Sequence, residues 1–235
     1  MKWLSSNLDL VWELMLAHVA LCIPPIIIGF LISIPIGWVA NRYRVSRGTI
    51  LVVLGLLYTI PSLPLFIFMP LILGTPQLSS VNVVVALTIY AVALMVRSAS
   101  DGLGSVDDDV KQAASSMGFS GWQRFWRVEL PLSGPVLLAG LRVVSASTVS
   151  LATIGSVIGV TSLGYLFING LQRTIPGEVV TGIVATLIIA VVFDLVLVGL
   201  GRLLLPWNRS DRGARGARAR AISRSRTAVL TGGAS

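Results

Sequence analysis

The chain has 235 residues, of which 54% are hydrophobic and only 12% charged. That charged share is about half of what a soluble domain carries, which excludes an ordinary soluble globule and points to a polytopic membrane protein. The net charge of +8 raises nucleic acid as a partner, but its placement argues against it: Arg202, Arg209, Arg212, Arg215, Arg218, Arg220, Arg224 and Arg226 all lie at or beyond the end of the last apolar run, a membrane-flanking pattern.

Residues 1–17 hold Asp9 and Glu13 among apolar positions and lack the short apolar core and small-residue cleavage site of a removable signal. They read as an extracytoplasmic N-terminal segment before a transmembrane unit at 18–205. His18, without a metal-like partner, is expected at the outer membrane edge. The lone Cys22 reads as a small buried hydrophobe.

A helix crossing the bilayer core needs about 20 apolar residues. Five runs meet that need, at about 18–40, 50–73, 79–96, 132–160 and 178–205. They are too continuous for the alternating strands of a barrel, so the predicted class is an all-α integral membrane protein. A sixth, short span near 147–168 arises if the fourth run breaks at Gly155 or Gly159. Pro24, Pro25 and Pro35 are expected to break the first span, and Pro61, Pro64 and Pro70 the second. Such breaks serve either packing geometry or a bent helix lining a solute path. With the N-terminus outside, the inner segments collect 15 of the 18 basic residues, so the expected orientation is N-out and C-in.

Residues 97–131 form the one sizeable polar connection inside the bundle. Ser105, with Asp108 three positions on, is expected to cap a first short helix. Val106, Val110, Ala113, Ala114 and Met117 recur on one helical face, and Gly118 suits the left-handed residue that ends it. Ser120 then caps a second helix on which Trp122, Phe125, Trp126 and Glu129 share a face, while Arg124 and Arg127 point elsewhere. Two readings stay open on these residues alone: an interfacial connector, since Trp favours the headgroup region, and a docking element for a soluble partner, since aromatic and Arg side chains anchor interfaces.

The spacing resembles the EAA motif of ABC importer permeases, a Glu-Ala-Ala, three residues, Gly, nine residues, Ile, one residue, Leu-Pro pattern. Here Gln112, Ala113 and Ala114 are followed by Gly118, then by Val128 and by Leu130-Pro131. Gln112 stands where the family has an acid, and Val128 replaces Ile. TIPSLPLF at 59–66, VRSASDGL at 96–103 and LATIGSVIGVTSLGYLFINGL at 151–171 resemble the permeases of quaternary-amine importers for glycine betaine, choline, carnitine and related osmoprotectants.

The resemblance implies that the insert is a coupling helix docking on a cytoplasmic ATPase subunit. Gln112, Ala113, Ala114, Gly118, Trp122, Trp126, Leu130 and Pro131 are its ATPase-coupling residues. The only lysines, Lys2 and Lys111, are not preceded by glycine, so no phosphate-binding loop is present and no cofactor is expected in this chain; ATP would be bound by the partner. The resemblance further implies a second permease chain, identical or paralogous, and an extracytoplasmic solute-binding protein, in the plasma membrane.

Two intramembrane features remain. Arg142 and Asp194 both fall roughly 15 Å from the inner surface at about 1.5 Å per residue, and charged groups at such depth are usually paired. They are a candidate ion pair, within one chain or across a dimer; separate hydration of each is the alternative. A quaternary ammonium is held by aromatic faces, yet the Trp and Tyr residues sit mostly at membrane edges. Tyr58 and Tyr90 are deep enough to be candidates for the translocation path, with ordinary packing as the alternative. The segment 206–235 is expected to be a basic, disordered cytoplasmic tail attracted to anionic membrane lipid rather than to nucleic acid. Competing functions are a permease for another small solute such as an amino acid, and an ATP-independent channel or carrier. A membrane enzyme has no residue cluster to support it.

Overall fold

A computed structural model describes residues 2–207 of the chain; the arginines from Arg209 onward and the expected disorder of the tail lie outside the described residues. The helices are α1 (Lys2–Ser5), α2 (Leu8–Arg42), α3 (Arg44–Thr59), α4 (Ser62–Leu73), α5 (Ser80–Gly104), α6 (Asp108–Ser116), α7 (Gly121–Arg124), α8 (Leu130–Ala152), α9 (Gly164–Gln172) and α10 (Pro176–Leu204). A π-helical turn, Phe125–Glu129, joins α7 to α8, and a 3-10 turn, Thr153–Ile158, follows α8. No strand occurs among the described residues.

Four helical stretches are long and apolar enough to cross a membrane: Leu8–Arg42, Ser80–Gly104, Gly121–Ile158 and Pro176–Leu204. The pair Arg47–Thr59 and Ser62–Leu73 makes a fifth if it counts as one span, bent by 98°. The sixth span does not form. Gly159 takes a φ of +89° and stops the fourth stretch, and α9 has only 9 residues, about 14 Å at the helical rise.

The prolines act less uniformly than expected. Pro24, Pro25 and Pro35 all lie inside α2, which continues through them. Proline removes one backbone donor and does not by itself force a break, and in this helix the packing against α5 holds the axis. Pro61 does mark a break, since the chain between α3 and α4 is extended at Ile60 (φ −61°, ψ 126°) and at Pro61. Pro70 lies inside α4 without ending it.

Helix α5 is the centre of the bundle, packed against α2, α3, α4 and α8; α10 lies on α8 and α9. The α2–α5 contact is close because small residues meet there. A Cβ on Gly29 would lie 2.5 Å from the Ala91 Cβ, and one on Gly37 would lie 2.6 Å from that of Ala99. Without hydrophobic drive between helices in lipid, such backbone approach supplies the packing attraction. One apolar cluster gathers Leu21, Cys22, Phe66, Leu87, Val149 and Leu163. A second gathers Ala91, Met95, Ala99, Leu137 and Val144 between α5 and α8.

Two boundaries differ from the sequence reading. Helix α2 starts at Leu8, so most of the predicted N-terminal segment belongs to the first long helix. Helix α5 runs on to Gly104, so residues 97–104 extend the third span and the insert begins at Ser105. The buried Ala99, Ser100, Gly102 and Leu103 keep the helical stripe going, and Arg47 Nη2 donates to Asp101 Oδ1 at 2.9 Å, pinning α3 to this extension.

His18, expected as an interfacial residue, faces the interior of the bundle. It is fully buried, with Nε2 at 3.1 Å from the Val149 carbonyl oxygen, and it ties α2 to α8. Cys22, one turn on, is fully buried as expected.

Candidate coupling site

The insert is built by local rules. Asp107, not Ser105, caps α6: its side chain accepts from the Asp109 amide at 3.0 Å. Ser105 instead closes α5, its hydroxyl donating to the Gly102 carbonyl at 2.7 Å. The expectation failed because both residues can cap, and the longer α5 had already claimed Ser105. Asp108 and Asp109 then occupy the first turn of α6, where the helix dipole favours negative charge.

Gly118 adopts a φ of +86°, the left-handed turn between α6 and α7. The next helix opens with a capping box: the Gln123 amide donates to Ser120 Oγ at 3.3 Å, and the Ser120 amide donates to Gln123 Oε1 at 3.0 Å.

Gln112, Ala113 and Gly118 are exposed, whereas Ala114 is buried against the chain. Trp122 and Trp126 are 64% and 49% exposed and meet edge to face with centroids 5.6 Å apart. Met117, at 71% exposure, lies in the same insert. Phe125 differs from its aromatic neighbours: it is buried, its ring 5.7 Å from that of Trp38 on α2. The insert therefore presents two tryptophans outward and anchors itself by a phenylalanine.

Arg124 does not point away as expected. Its Nε donates to Glu129 Oε1 at 2.6 Å and its Nη1 to Ser115 Oγ at 3.0 Å, stitching α7 to both α6 and the π turn. Glu129 is buried, so the pair locks the base of the insert. Leu130 and Pro131 are half-buried, and Pro131, which has no backbone donor, follows the π turn that leads into α8. From Gly121 to Ile158 the chain stays helical, departing from α geometry only at the π turn and at the closing 3-10 turn, Thr153–Ile158. The exposed tryptophans thus sit at one end of a 38-residue rod whose other end reaches across the bundle.

Arg142 on α8 and Asp194 on α10 form a two-bond fork, Nε to Oδ1 at 2.5 Å and Nη2 to Oδ2 at 2.8 Å. Tyr58 and Tyr90 meet edge to face with centroids 5.8 Å apart. Tyr90 is nearly fully buried and donates to the Ile60 carbonyl at 2.5 Å, across the bend between α3 and α4; Tyr58 is 40% exposed. Among the described residues, no group of three or more His, Cys, Asp or Glu side chains could hold a metal.

Residues 29–210 match the family model described as "Binding-protein-dependent transport system inner membrane component". The chain belongs to this family of transport permeases. That places it among multi-pass membrane proteins of transport systems rather than among enzymes.

The permease is 33% identical over 190 residues to the choline transport system permease protein OpuBB of Bacillus subtilis (strain 168), covering 80% of this chain and 86% of that one. It is 29% identical to the glycine betaine/carnitine/choline transport system permease protein OpuCB of the same organism, with the same coverage. Against the osmoprotectant import permease protein OsmW of Salmonella typhimurium it is 27% identical over 206 residues, 87% of this chain and 96% of that one. A chain of the inward-facing MetNI methionine ABC transporter superposes with a TM-score of 0.74 at 20% identity, over 85% of this permease and 98% of that chain, and so shares its fold.

Proposed function

We propose that this permease carries a small osmoprotectant, such as glycine betaine, choline, carnitine or a proline-like solute, into the cell as the membrane-spanning subunit of an ATP-driven importer. The solute class rests on its similarity, along most of its length, to choline, glycine betaine/carnitine/choline and osmoprotectant permeases. The coupling role rests on one observation above the others. Exposed Trp122 and Trp126 stand on the same helical rod that crosses the bundle. Large aromatic side chains that the chain itself leaves uncovered are suited to anchor a partner.

In this reading Gln112, Ala113, Ala114, Gly118, Trp122, Trp126, Leu130 and Pro131 transmit the closure of a cytoplasmic ATPase that holds the ATP. The Arg124–Glu129 pair and the Phe125–Trp38 contact keep the insert from bending independently of α2 and α8. A push on the insert then reaches the spans as a tilt of the rod. The insert faces the cytoplasm, the N-terminus lies outside, and a second permease chain completes the path. An external binding protein delivers the solute and sets most of the selectivity.

Vesicles containing the permease, its ATPase and its binding protein test this. Radiolabelled glycine betaine or choline should accumulate only with ATP on the ATPase side. Accumulation without ATP would place the chain among ATP-independent carriers instead, and ATP-driven uptake of an amino acid but of no quaternary amine would overturn the solute class.

A further inference from the structure

The inner end of α2 and the insert flank an open cavity of about 380 Å³. Trp38, Asn41, Arg42, Lys111, Arg124 and Glu129 line it. Its volume falls within the range of small-ligand sites, roughly 300–1,000 Å³. Three cations face it against one carboxylate, and that carboxylate is already engaged: Glu129 accepts from Arg124 Nε at 2.6 Å. Arg124 uses Nη1 on Ser115, which leaves its other terminal amino group for a ligand.

Lys111 is bound to Asp108 at 3.0 Å, but the Asp108 side chain is 96% exposed, and such a surface pair is weak and shareable. An ammonium has three donors, so Lys111 can serve Asp108 and a second acceptor together. Arg42 has no carboxylate within salt-bridge distance among the described residues. Its guanidinium lies 5.7 Å from the centroid of the Trp38 ring. The cavity thus combines surplus positive charge, unused N–H donors and an aromatic wall, a set suited to a phosphate group.

Position selects the source of that phosphate. The cavity lies where α2 ends as a span, and a tryptophan at such an end belongs to the headgroup layer. We propose that this cavity binds the phosphate of an anionic phospholipid headgroup, which bridges Arg42 of α2 to Lys111 and Arg124 of the insert. The bound lipid is a structural part of the junction between the first span and the coupling element. The proposal stands independently of which solute is transported.

Native mass spectrometry of the full-length chain, released from detergent with phosphatidylglycerol or phosphatidylcholine added, reads the binding directly. Phosphatidylglycerol should be retained in preference to phosphatidylcholine. The Arg42→Gln/Lys111→Gln variant should retain about tenfold less of it, as expected from losing charge-assisted hydrogen bonds. Arg173→Gln, which alters a cation elsewhere on the surface, should retain as much as the unaltered chain. Equal retention of the two lipids, or unchanged retention in the double variant, overturns the proposal. Inorganic phosphate that displaces phosphatidylglycerol at equal concentration would show a free phosphate site and remove the lipid assignment. Should the double variant fail to fold, photoactivatable phosphatidylglycerol on the unaltered chain decides: adducts should map to 38–42 and 111–129, and adducts confined to other segments contradict the site.

Discussion

Arg142 and Asp194 join α8 to α10 by two parallel hydrogen bonds, of 2.5 and 2.8 Å, in the middle of two membrane-spanning helices. Their side chains remain 44% and 40% exposed, beside outward-facing Val143, Val191 and Leu195. The pair is therefore satisfied within the chain but not sealed by it. An unpaired charge at such depth is costly, so either single replacement strands the other partner. Arg142→Asp and Asp194→Arg should each lower the amount of assembled permease in membranes. The double exchange should restore it, because the fork can re-form with its ends reversed. Immunoblotting of membrane fractions checks this; no recovery in the double exchange would show that the two residues act separately.

Gly118 supports the second prediction. No atom lies within 4 Å of a Cβ placed there, so space is not the constraint; the φ of +86° is. A β-branched residue is a severe outlier in that region, whereas asparagine tolerates it. Gly118→Val should leave the protein in the membrane but abolish uptake by misdirecting α7, and Gly118→Asn should retain most activity. Transport assays in whole cells, normalised to membrane content, separate the two.

The α2–α5 contact gives the third. Gly29→Val adds three carbons where the Ala91 Cβ already stands 2.5 Å from the first. Overpacking of this kind typically costs about 1–3 kcal/mol. The variant should unfold at lower temperature in detergent, and Ala91→Gly in the same chain should recover part of the loss. Circular dichroism melting reports both.

The base of the insert gives the fourth. Glu129→Leu removes the acceptor of a 2.6 Å bond and leaves the half-buried Arg124 without its carboxylate. A hydrogen bond to a charged group contributes about 1.5–3 kcal/mol; partial solvent access to Arg124 favours the lower end. The expected outcome is faster proteolysis within 105–131 while the spans stay protected. Equal cleavage rates would show that the pair does not stiffen the insert.

Much of this architecture was written in the amino-acid pattern, because hydropathy reports directly on the spans and the insert's turn and cap signals are local. Gly118 and Ser120 do in the structure what their residue types require. What the sequence reading missed depended on which face a residue occupies. His18 shares one buried stripe with Cys22, Gly29, Ser33 and Gly37, at helical spacing. That stripe of small and polar residues was the available signal, but a hydropathy reading averages over faces. Arg124 and Glu129, five apart, meet across a π turn, a geometry that α-helical spacing does not anticipate. Glu178, fully buried and accepting from Asn169 at 2.6 Å, stands at a span boundary, where charge is ordinary and its sequence position does not mark it. The prolines of α2 misled for the opposite reason: proline weakens a helix locally, and tertiary packing on α5 decided the outcome.

The coupling role of the insert is tested most directly by ATP hydrolysis in reconstituted complexes carrying Trp122→Ala/Trp126→Ala. The two side chains are 64% and 49% exposed, and the level of permease in the vesicles reports whether the fold survives their removal. Solute-loaded binding protein should stimulate hydrolysis in the unaltered complex. The double variant should lose that stimulation and its uptake, with permease still present in the vesicles at the same level. Full stimulation and full uptake by the variant would contradict the assignment of this insert as the route by which hydrolysis moves the spans.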